Sequence, residues 1–325
     1  MKVGIIGLGF MGATHLGAFS KLNGVEVAAV CARNPRALAG DLSQVGGNLN
    51  RETGTYDFSA VHKYSDWREL VADPALDAVD ICLPTDAHTE VSLAALAAGK
   101  HVLCEKPMAL TKEDCGRMIS AAEKHRRILM VAQVLRFWPE YQYLEQFVKN
   151  ERNSIASVTF SRRGEMPPWS GWLTDESRSG GAVLDLLVHD IDQAIFLFGV
   201  PEQVSARSLG EIDTIRATLQ YPGNTEVHIE GGWFPAGTPF SMAFTARTPE
   251  RELDFTAGGL RLNAGAVEVS AADAYETQLA YFVECCEQNK QPERCLPQDS
   301  AKAVALALLL QHARSLEGKQ LRCEI

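Results

Sequence analysis

Residues 2–12 read Lys2-Val3-Gly4-Ile5-Ile6-Gly7-Leu8-Gly9-Phe10-Met11-Gly12. A short apolar, β-branched run stops at a glycine and enters the pattern Gly-x-Gly-x-x-Gly. The run predicts a buried strand, and the periodicity of Phe10–Leu22 predicts a helix, so the three glycines fall on a strand-to-helix turn. There Gly7 permits the tight turn, Gly9 lets backbone amides approach a pyrophosphate, and Gly12 lets helix and strand pack closely. The helix start adds unpaired N–H donors and the positive end of its dipole. Gly7, Gly9, Phe10, Met11 and Gly12 therefore read as the phosphate-binding part of a dinucleotide site.

Outward from this turn the alternation continues. Further strand-like runs are Val25–Val30, Ala78–Pro84, His101–Glu105 and Ile128–Val134, and helical segments are Pro35–Val45, His88–Ala98 and Thr111–Arg126. The last of these opens on a capping box, Thr111 to Asp114, and His88–Ala98 stops at Gly99. Doubly buried strands alternating with helices predict a doubly wound parallel sheet, a Rossmann domain over residues 1–134. Gly46–Ala60 interrupts the rhythm: it is polar, turn-rich and long for a connection. It reads as a surface loop, with a flap near the cofactor as the alternative.

Beyond residue 136 the pattern changes. Ile155–Arg162 reads as a strand and Ala182–Phe198 as one long amphipathic helix. Val204–Ser208, Thr214–Tyr221, Glu226–Trp233, Phe240–Thr245, Glu252–Phe255 and Val267–Ser270 then follow as strands. Helices are expected over Asp273–Gln288 and Asp299–Leu316. Strands gathered together predict a C-terminal α+β domain, 135–325, on a large, mostly antiparallel sheet, making the whole an α/β chain. At 325 residues two domains are the expectation in any case.

Composition excludes several partners. Lys and Arg number 31 against 41 Asp and Glu, a net charge of −10, which gives no footprint for nucleic acid and disfavours an anionic membrane surface. No apolar stretch approaches a membrane span. The eight cysteines show no Cys-x-x-Cys spacing, so no metal is expected. Cys31, Cys82 and Cys104 sit in apolar runs, which suits a reducing cytoplasm.

NAD sites usually place an acidic residue at the end of the second strand to hold the ribose. Here that position reads Cys31-Ala32-Arg33-Asn34. No carboxylate meets a 2′-hydroxyl, and an arginine stands ready for a 2′-phosphate, so Ala32, Arg33 and Asn34 favour NADP(H) over NAD(H).

Three further motifs come into register: Pro84-Thr85-Asp86-Ala87-His88, Glu105-Lys106-Pro107, and Gly180-Gly181-Ala-Val-Leu-Asp185-Leu-Leu-Val-His189-Asp190-Ile-Asp192. The set resembles the Gfo/Idh/MocA oxidoreductases over essentially the whole chain. The resemblance implies a catalytic set of Lys106, Asp185 and His189, and an open C-terminal sheet that makes a homodimer or homotetramer. Two departures stand out. Asp86 replaces an asparagine frequent in the family, and Ala32 replaces the acidic ribose ligand, much as in the NADP-using dihydrodiol dehydrogenases.

Asp185 and His189, four apart in the expected helix, share one face. An unperturbed imidazole titrates at about 6.5 and lysine at about 10.4, so His189 is the natural acid/base and Asp185 orients it or holds substrate. Lys106 then polarises the reacting oxygen; Lys106 as the base is the alternative. Glu105 orients Lys106 or the nicotinamide ribose, and Pro107 fixes that turn. Pro84 and Thr85 flank the ribose and nicotinamide, with His88 hydrogen bonding at a helix start beside them. His15 reads as structural and Trp233 as core. Arg136, Trp138, Tyr141, Arg162, Arg163, Trp169 and Trp172 offer arginine forks and aromatic faces suited to a polyhydroxylated substrate.

The expected activity is hydride transfer between a nicotinamide and a CH–OH carbon of a sugar, cyclitol or related polyol. Two alternatives share these residues: a nicotinamide-dependent glycoside hydrolase or lyase that regenerates its cofactor within each turnover, and a non-catalytic NADP(H)-sensing protein.

Overall fold

Six parallel strands form the first sheet of the computed structural model, which describes residues 1–47, 54–168, 170–210 and 212–325. In chain order the elements are β1 (Lys2–Ile6), α1 (Phe10–Phe19), β2 (Glu26–Cys31), α2 (Pro35–Leu38), β3 (His62–Tyr64) and α3 (Trp67–Ala72). Then come β4 (Ala78–Ile81), α4 (His88–Ala97), β5 (His101–Cys104), α5 (Lys112–His125) and β6 (Leu129–Val131). The strand order β3-β2-β1-β4-β5-β6 is doubly wound, and it carries its loops at the carboxyl edge where ligands bind. α5 starts as expected: the Thr111 hydroxyl accepts from the Asp114 amide (3.1 Å).

Two expectations are corrected here. The helix predicted over Pro35–Val45 ends at Leu38, and Asp41 already pairs with Thr55 in an isolated bridge. β3 and α3 carry weak signals because β3 is three residues long and its side chains are exposed or half-buried. Of the Gly46–Ala60 segment, 48–53 lie outside the described residues. Its later part is anchored by Phe58, which is buried and stacked on Tyr56.

The remaining elements are α6 (Pro139–Asn150), β7 (Ser157–Glu165), α7 (Glu176–Ser179), α8 (Gly181–Asp185), α9 (Val188–Phe198), β8 (Gln203–Arg207), β9 (Asp213–Tyr221) and β10 (Thr225–Phe234). They continue with β11 (Ser241–Arg247), β12 (Glu252–Thr256), β13 (Gly259–Leu262), β14 (Gly265–Ala266), α10 (Ala274–Glu287), α11 (Pro297–Ser315) and β15 (Leu321–Arg322). The second sheet has nine strands in the order β14-β13-β12-β11-β7-β10-β9-β8-β15. All its pairings are antiparallel except β7 with β10. Its core is an aromatic cluster in which Tyr141 meets Phe160, Phe244 and Phe255.

The division is not contiguous. One compact unit comprises Met1–Val134 with Asp273–Gln298, and the other Leu135–Ala272 with Asp299–Ile325. The expected 135–325 domain therefore gives up α10, for a reason visible in α1. That helix has no polar face, with Gly12–Leu16, Ala18 and Phe19 all buried, so one sheet cannot cover it. α10 covers the rest, and the buried Gln278, with its amide oxygen turned inward, accepts from the Gln133 and Val134 amides (3.1 Å each).

Three readings in the second unit also change. α6 was not foreseen, although Pro139 at its first turn and buried Tyr141, Leu144, Phe147 and Val148 mark it. The strand expected at Val267–Ser270 lies earlier, as the β13–β14 hairpin turning through Asn263 and Ala264 at φ 50° and 65°. The long helix Ala182–Phe198 is two helices, since the Leu186 and Leu187 amides both donate to the Ala182 carbonyl (2.9 Å each) and the chain restarts at α9.

Candidate active site

At the glycine turn, each glycine meets a different surrounding. Gly7 has φ +100°, and a Cβ there would lie 2.3 Å from the Cys82 carbonyl oxygen. A Cβ on Gly12 would lie 1.9 Å from the Gly7 oxygen, so strand and helix touch through it. Gly9 is exposed with extended backbone, and its added Cβ would meet nothing within 4 Å. Gly9 also begins α1 without a side-chain cap, and no acidic residue occupies the first turn. Helix donors facing an open clearing fit the phosphates of a dinucleotide. Phe10 and Met11 are half-buried beside it.

After β2, Ala32 is half-buried while Arg33 and Asn34 are exposed. The Asn34 carboxamide oxygen accepts from the Arg36 amide (3.0 Å) and so caps α2. The neighbouring cation Arg36 pairs with Asp41.

At the carboxyl edge, Pro84 is half-buried and Thr85 buried, and the next residues carry the chain into α4. His88 is fully buried. Its Nδ1 lies 2.9 Å from the Pro107 oxygen and its Nε2 2.8 Å from the Leu83 oxygen. The ring thus ties the Leu83 and Pro107 loops together, with both nitrogens facing protein carbonyls. Burial depresses its pKa below the ordinary imidazole value, against the pull of those two carbonyls. The Lys106–Pro107 peptide is cis. Lys106 is half-buried, and its amide donates to the side chain of Glu105 (3.0 Å).

Behind this turn lies a group that sequence reasoning reduced to one structural histidine. His15 on α1 is fully buried, with Nδ1 2.8 Å from Asp80 Oδ2 and Nε2 3.3 Å from Glu105 Oε1. Burial opposes the Glu105 charge, but the hydrogen bond and charge of His15, with Lys106 adjacent, keep its pKa below the usual carboxylate range. The missed signal was Asp80 itself, an acid in the middle of the apolar run Ala78–Leu83. A buried carboxylate needs a partner.

In the second unit, Gly180 and Gly181 turn the chain into α8 at φ 76° and 72°. A Cβ on Gly181 would approach Asp213 Oδ2 to 2.8 Å. That same oxygen accepts from the Ala182 amide (2.6 Å), Arg314 pairs with the other Asp213 oxygen, and Gln311 donates to the Gly180 carbonyl. α8 is thus fixed at its start, and it ends on the buried Asp185. His189 is half-buried in the first turn of α9, beyond the two residues Leu186 and Leu187 that follow α8.

Arg136 and Arg162, expected at the substrate, are buried and bound elsewhere. Arg136 donates from Nε and Nη2 to the two oxygens of Asp192 (2.8 and 2.7 Å). Asp299 lies 3.6 Å from its Nη1, and the Phe196 ring 4.5 Å below. Arg162 makes the same forked pair with Asp190 (2.8 and 3.0 Å) and touches Tyr141 Oη. Burial works against its charge, but Asp190 and Tyr141 hold its pKa above the ordinary arginine value. Asp190 and Asp192 flank His189 in sequence, so the two pairs fix the helix that presents it. Tyr141 and Trp233 are core, Trp138 and Trp172 are half-buried, and Arg163 is exposed over the Phe234 ring. Trp169 lies outside the described residues.

A parallel sheet with an open phosphate turn, joined to a nine-stranded sheet, defines a two-domain dinucleotide-binding protein. Residues 1–133 match the model of an oxidoreductase family with an NAD-binding Rossmann fold, and 150–260 match the GFO/IDH/MocA C-terminal domain. The chain belongs to the Gfo/Idh/MocA family. It is 30% identical over 214 residues to levoglucosan dehydrogenase of Pseudarthrobacter phenanthrenivorans, covering 63% of this chain and 53% of that relative. Against inositol 2-dehydrogenase of Salmonella typhimurium the identity is 30% over 194 residues, covering 59% and 53%. The chain spans about half the length of these curated relatives. A solved levoglucosan dehydrogenase in complex with NADH and L-sorbose shares the fold, with TM-score 0.82 at 21% identity over 100% of this chain and 99% of that chain.

Proposed function

We propose that this chain is an NAD(P)-dependent dehydrogenase or reductase acting on a CH–OH carbon of a sugar, cyclitol or related polyol. The carrying observation is the clearing over Gly9 at the uncapped start of α1, a cradle shaped for phosphates. Levoglucosan and inositol dehydrogenases as relatives support a polyhydroxylated ring as substrate.

Gly7, Gly9, Phe10, Met11 and Gly12 hold the pyrophosphate, Pro84 and Thr85 flank the ribose and nicotinamide, and Glu105, Lys106 and Pro107 form the adjoining turn. The bound nicotinamide supplies a two-electron acceptor. Lys106 would hold the reacting oxygen, and the carbon that bears it would yield its hydride to the nicotinamide, when bound. His189 takes the hydroxyl proton, leaving a carbonyl, and Asp185 holds substrate or His189. In the reverse direction His189 returns that proton. His88, Arg136 and Arg162, bound within the protein, serve as supports of these residues. The exposed Arg33 and the missing carboxylate at Ala32 favour NADP(H).

We further read the chain as a homodimer or homotetramer through its nine-stranded sheet, one face of which is lined by half-exposed polar pairs such as Arg216–Glu230 and Thr218–His228. Eight free cysteines support a reducing cytoplasm, and among the described residues no helix is long and apolar enough to cross a membrane.

The test is a panel of sugars, inositols and dihydrodiols with both nucleotides, read by absorbance of the reduced nicotinamide. Turnover with a polyol is expected, and Gly9→Val should abolish it by filling the clearing. Absence of turnover across the panel, or near-normal nucleotide binding by Gly9→Val, overturns the reading.

A further inference from the structure

The buried cluster behind the Glu105–Lys106 turn is unusual in its charge arithmetic. Asp80 and His15 have no exposed side-chain surface and Glu105 has 8%, so water screens none of them appreciably. Nδ1 of His15 is hydrogen bonded to Asp80 Oδ2 at 2.8 Å, and Nε2 lies 3.3 Å from Glu105 Oε1, within ion-pair reach. Carboxylates accept and do not donate, and a neutral imidazole has only one N–H. A neutral ring would therefore aim a lone pair at one of the two acids. An imidazolium is attracted to both carboxylates.

The remaining surroundings agree. The titratable groups facing the ring are Asp80 on β4, Cys82 beyond it with Sγ 3.5 Å from Nδ1, Glu105 with Lys106 beside it after β5, and Tyr275 on α10 with its ring 6.1 Å away. Burial alone would lower the His15 pKa, but the charge and hydrogen bond of Asp80, with Cys82, raise it well above the ordinary imidazole value.

Glu105 is the link to chemistry. One of its oxygens contacts His15, and the other accepts from the Lys106 amide. We propose that His15 is a positioning residue for Lys106: as an imidazolium between Asp80 and Glu105, it clamps the Glu105 side chain and so fixes the backbone from which Lys106 projects. This rests on the reading of Lys106 as catalytic. It also makes the helix that starts at the phosphate turn part of the machinery that aims the lysine.

A wrong placement of order 1 Å costs about 10²-fold in rate. His15→Gln should therefore lower kcat by about that factor while nucleotide Kd stays within a few-fold. It also leaves Asp80 and Glu105 buried without their cation, so one of them should take up a proton within the working pH range. kcat of His15→Gln should then rise with pH through an ionisation absent from the parent protein. The double variant His15→Gln/Asp80→Asn restores the original net charge of −1 and should remove that ionisation and recover part of the rate. A purely structural histidine would lower kcat equally at every pH, with the second substitution only adding to the loss; either result overturns the positioning role.

The protonation state is tested separately on the unaltered protein, whether or not a substrate has been found. With histidine labelled by 15N, the His15 ring should show both nitrogens protonated up to pH 8.5. A neutral ring at pH 7.5 overturns the bridge itself, leaving the dehydrogenase reading untouched. Failure of every polyol to react, with His15 still cationic, overturns that reading instead.

Discussion

Both units bury charge directly behind a proposed catalytic side chain, but they do it with different chemistry. Behind Lys106, one imidazolium sits between the two carboxylates Asp80 and Glu105. Behind His189, two guanidinium groups each grip one carboxylate in a fork, Arg162 on Asp190 and Arg136 on Asp192, with Asp299 at the margin. The first cluster is unbalanced and its cation can lose its proton. The second is balanced once Lys302, 3.0 Å from the partly exposed Asp299, is counted, and arginine keeps its charge at any pH the fold survives. Support for Lys106 should therefore respond to pH, and support for His189 should not.

The largest effects come from removing what each region presents. His189→Ala and Lys106→Ala should each lose about 10²–10⁴-fold in kcat, the usual contribution of an acid/base group, with nucleotide affinity little changed. Kinetics at saturating nucleotide measure this. Full activity in both variants would end the comparison by leaving neither region with a catalytic side chain to support.

Breaking the forks comes next. Arg136→Ala or Arg162→Ala strands a buried aspartate and should destabilise the chain by about 3–5 kcal/mol, measured by urea unfolding. Replacing both members of a pair by apolar residues of similar volume should cost much less, because no charge is left unpaired. Equal losses in single and double variants would mean that the arginine stems, and not the ion pairs, hold α9 in place.

These two regions also differ in how far the sequence reveals them. The glycine turn could be read directly, since Gly7, Gly9 and Gly12 fall within six residues at the end of an apolar run and Gly7 takes a positive φ there. The alternating strands and helices of the first sheet were legible from short-range periodicity. Long-range contacts were not. Arg136 and Arg162 looked like ligand-binding forks because their partners lie 56 and 28 residues away. The α8–α9 break has no glycine or proline to mark it, and the run Leu186-Leu187-Val188 suits a helix. The transfer of α10 to the first unit was hinted at only by the absence of a polar face on α1.

The pH contrast can be sharpened through stability. Folding raises the His15 pKa, so its contribution is fully present below the unfolded value of about 6.5 and declines as pH rises through the folded value. Over that window unfolding should lose up to about 1.4 kcal/mol per pH unit for the one proton involved. His88 acts in the opposite sense: its pKa is depressed by burial, so its contribution is lost as pH falls from about 6.5 toward the folded value. Urea unfolding across pH 5–9 should give a dome, and His15→Gln should remove the decline on its alkaline side and replace it with one at lower pH, where the newly protonated carboxyl ionises. An unchanged alkaline limb in that variant would make the two regions alike.

The smallest expected effect belongs to a third arginine, one that neither region buries. Arg33 stands exposed on the turn after β2, beside Ala32, where no carboxylate waits for a ribose 2′-hydroxyl. The buried arginines act through desolvated forks, whereas Arg33 would meet a 2′-phosphate in water, where salt screens the attraction. A charge-assisted hydrogen bond contributes roughly 1.5–3 kcal/mol, and exposure favours the low end. Arg33→Ala should therefore weaken NADP(H) about tenfold, leave NAD(H) nearly unchanged, and lose most of its effect at high ionic strength. Ala32→Asp should act in reverse, since its carboxylate can accept from the ribose hydroxyls of NAD and repels a phosphate. Titration of both nucleotides against the three proteins decides the matter. Equal weakening of NADP(H) and NAD(H) in Arg33→Ala would show the arginine to be general support for the turn, and tighter NAD(H) than NADP(H) binding by the parent chain would remove the preference itself.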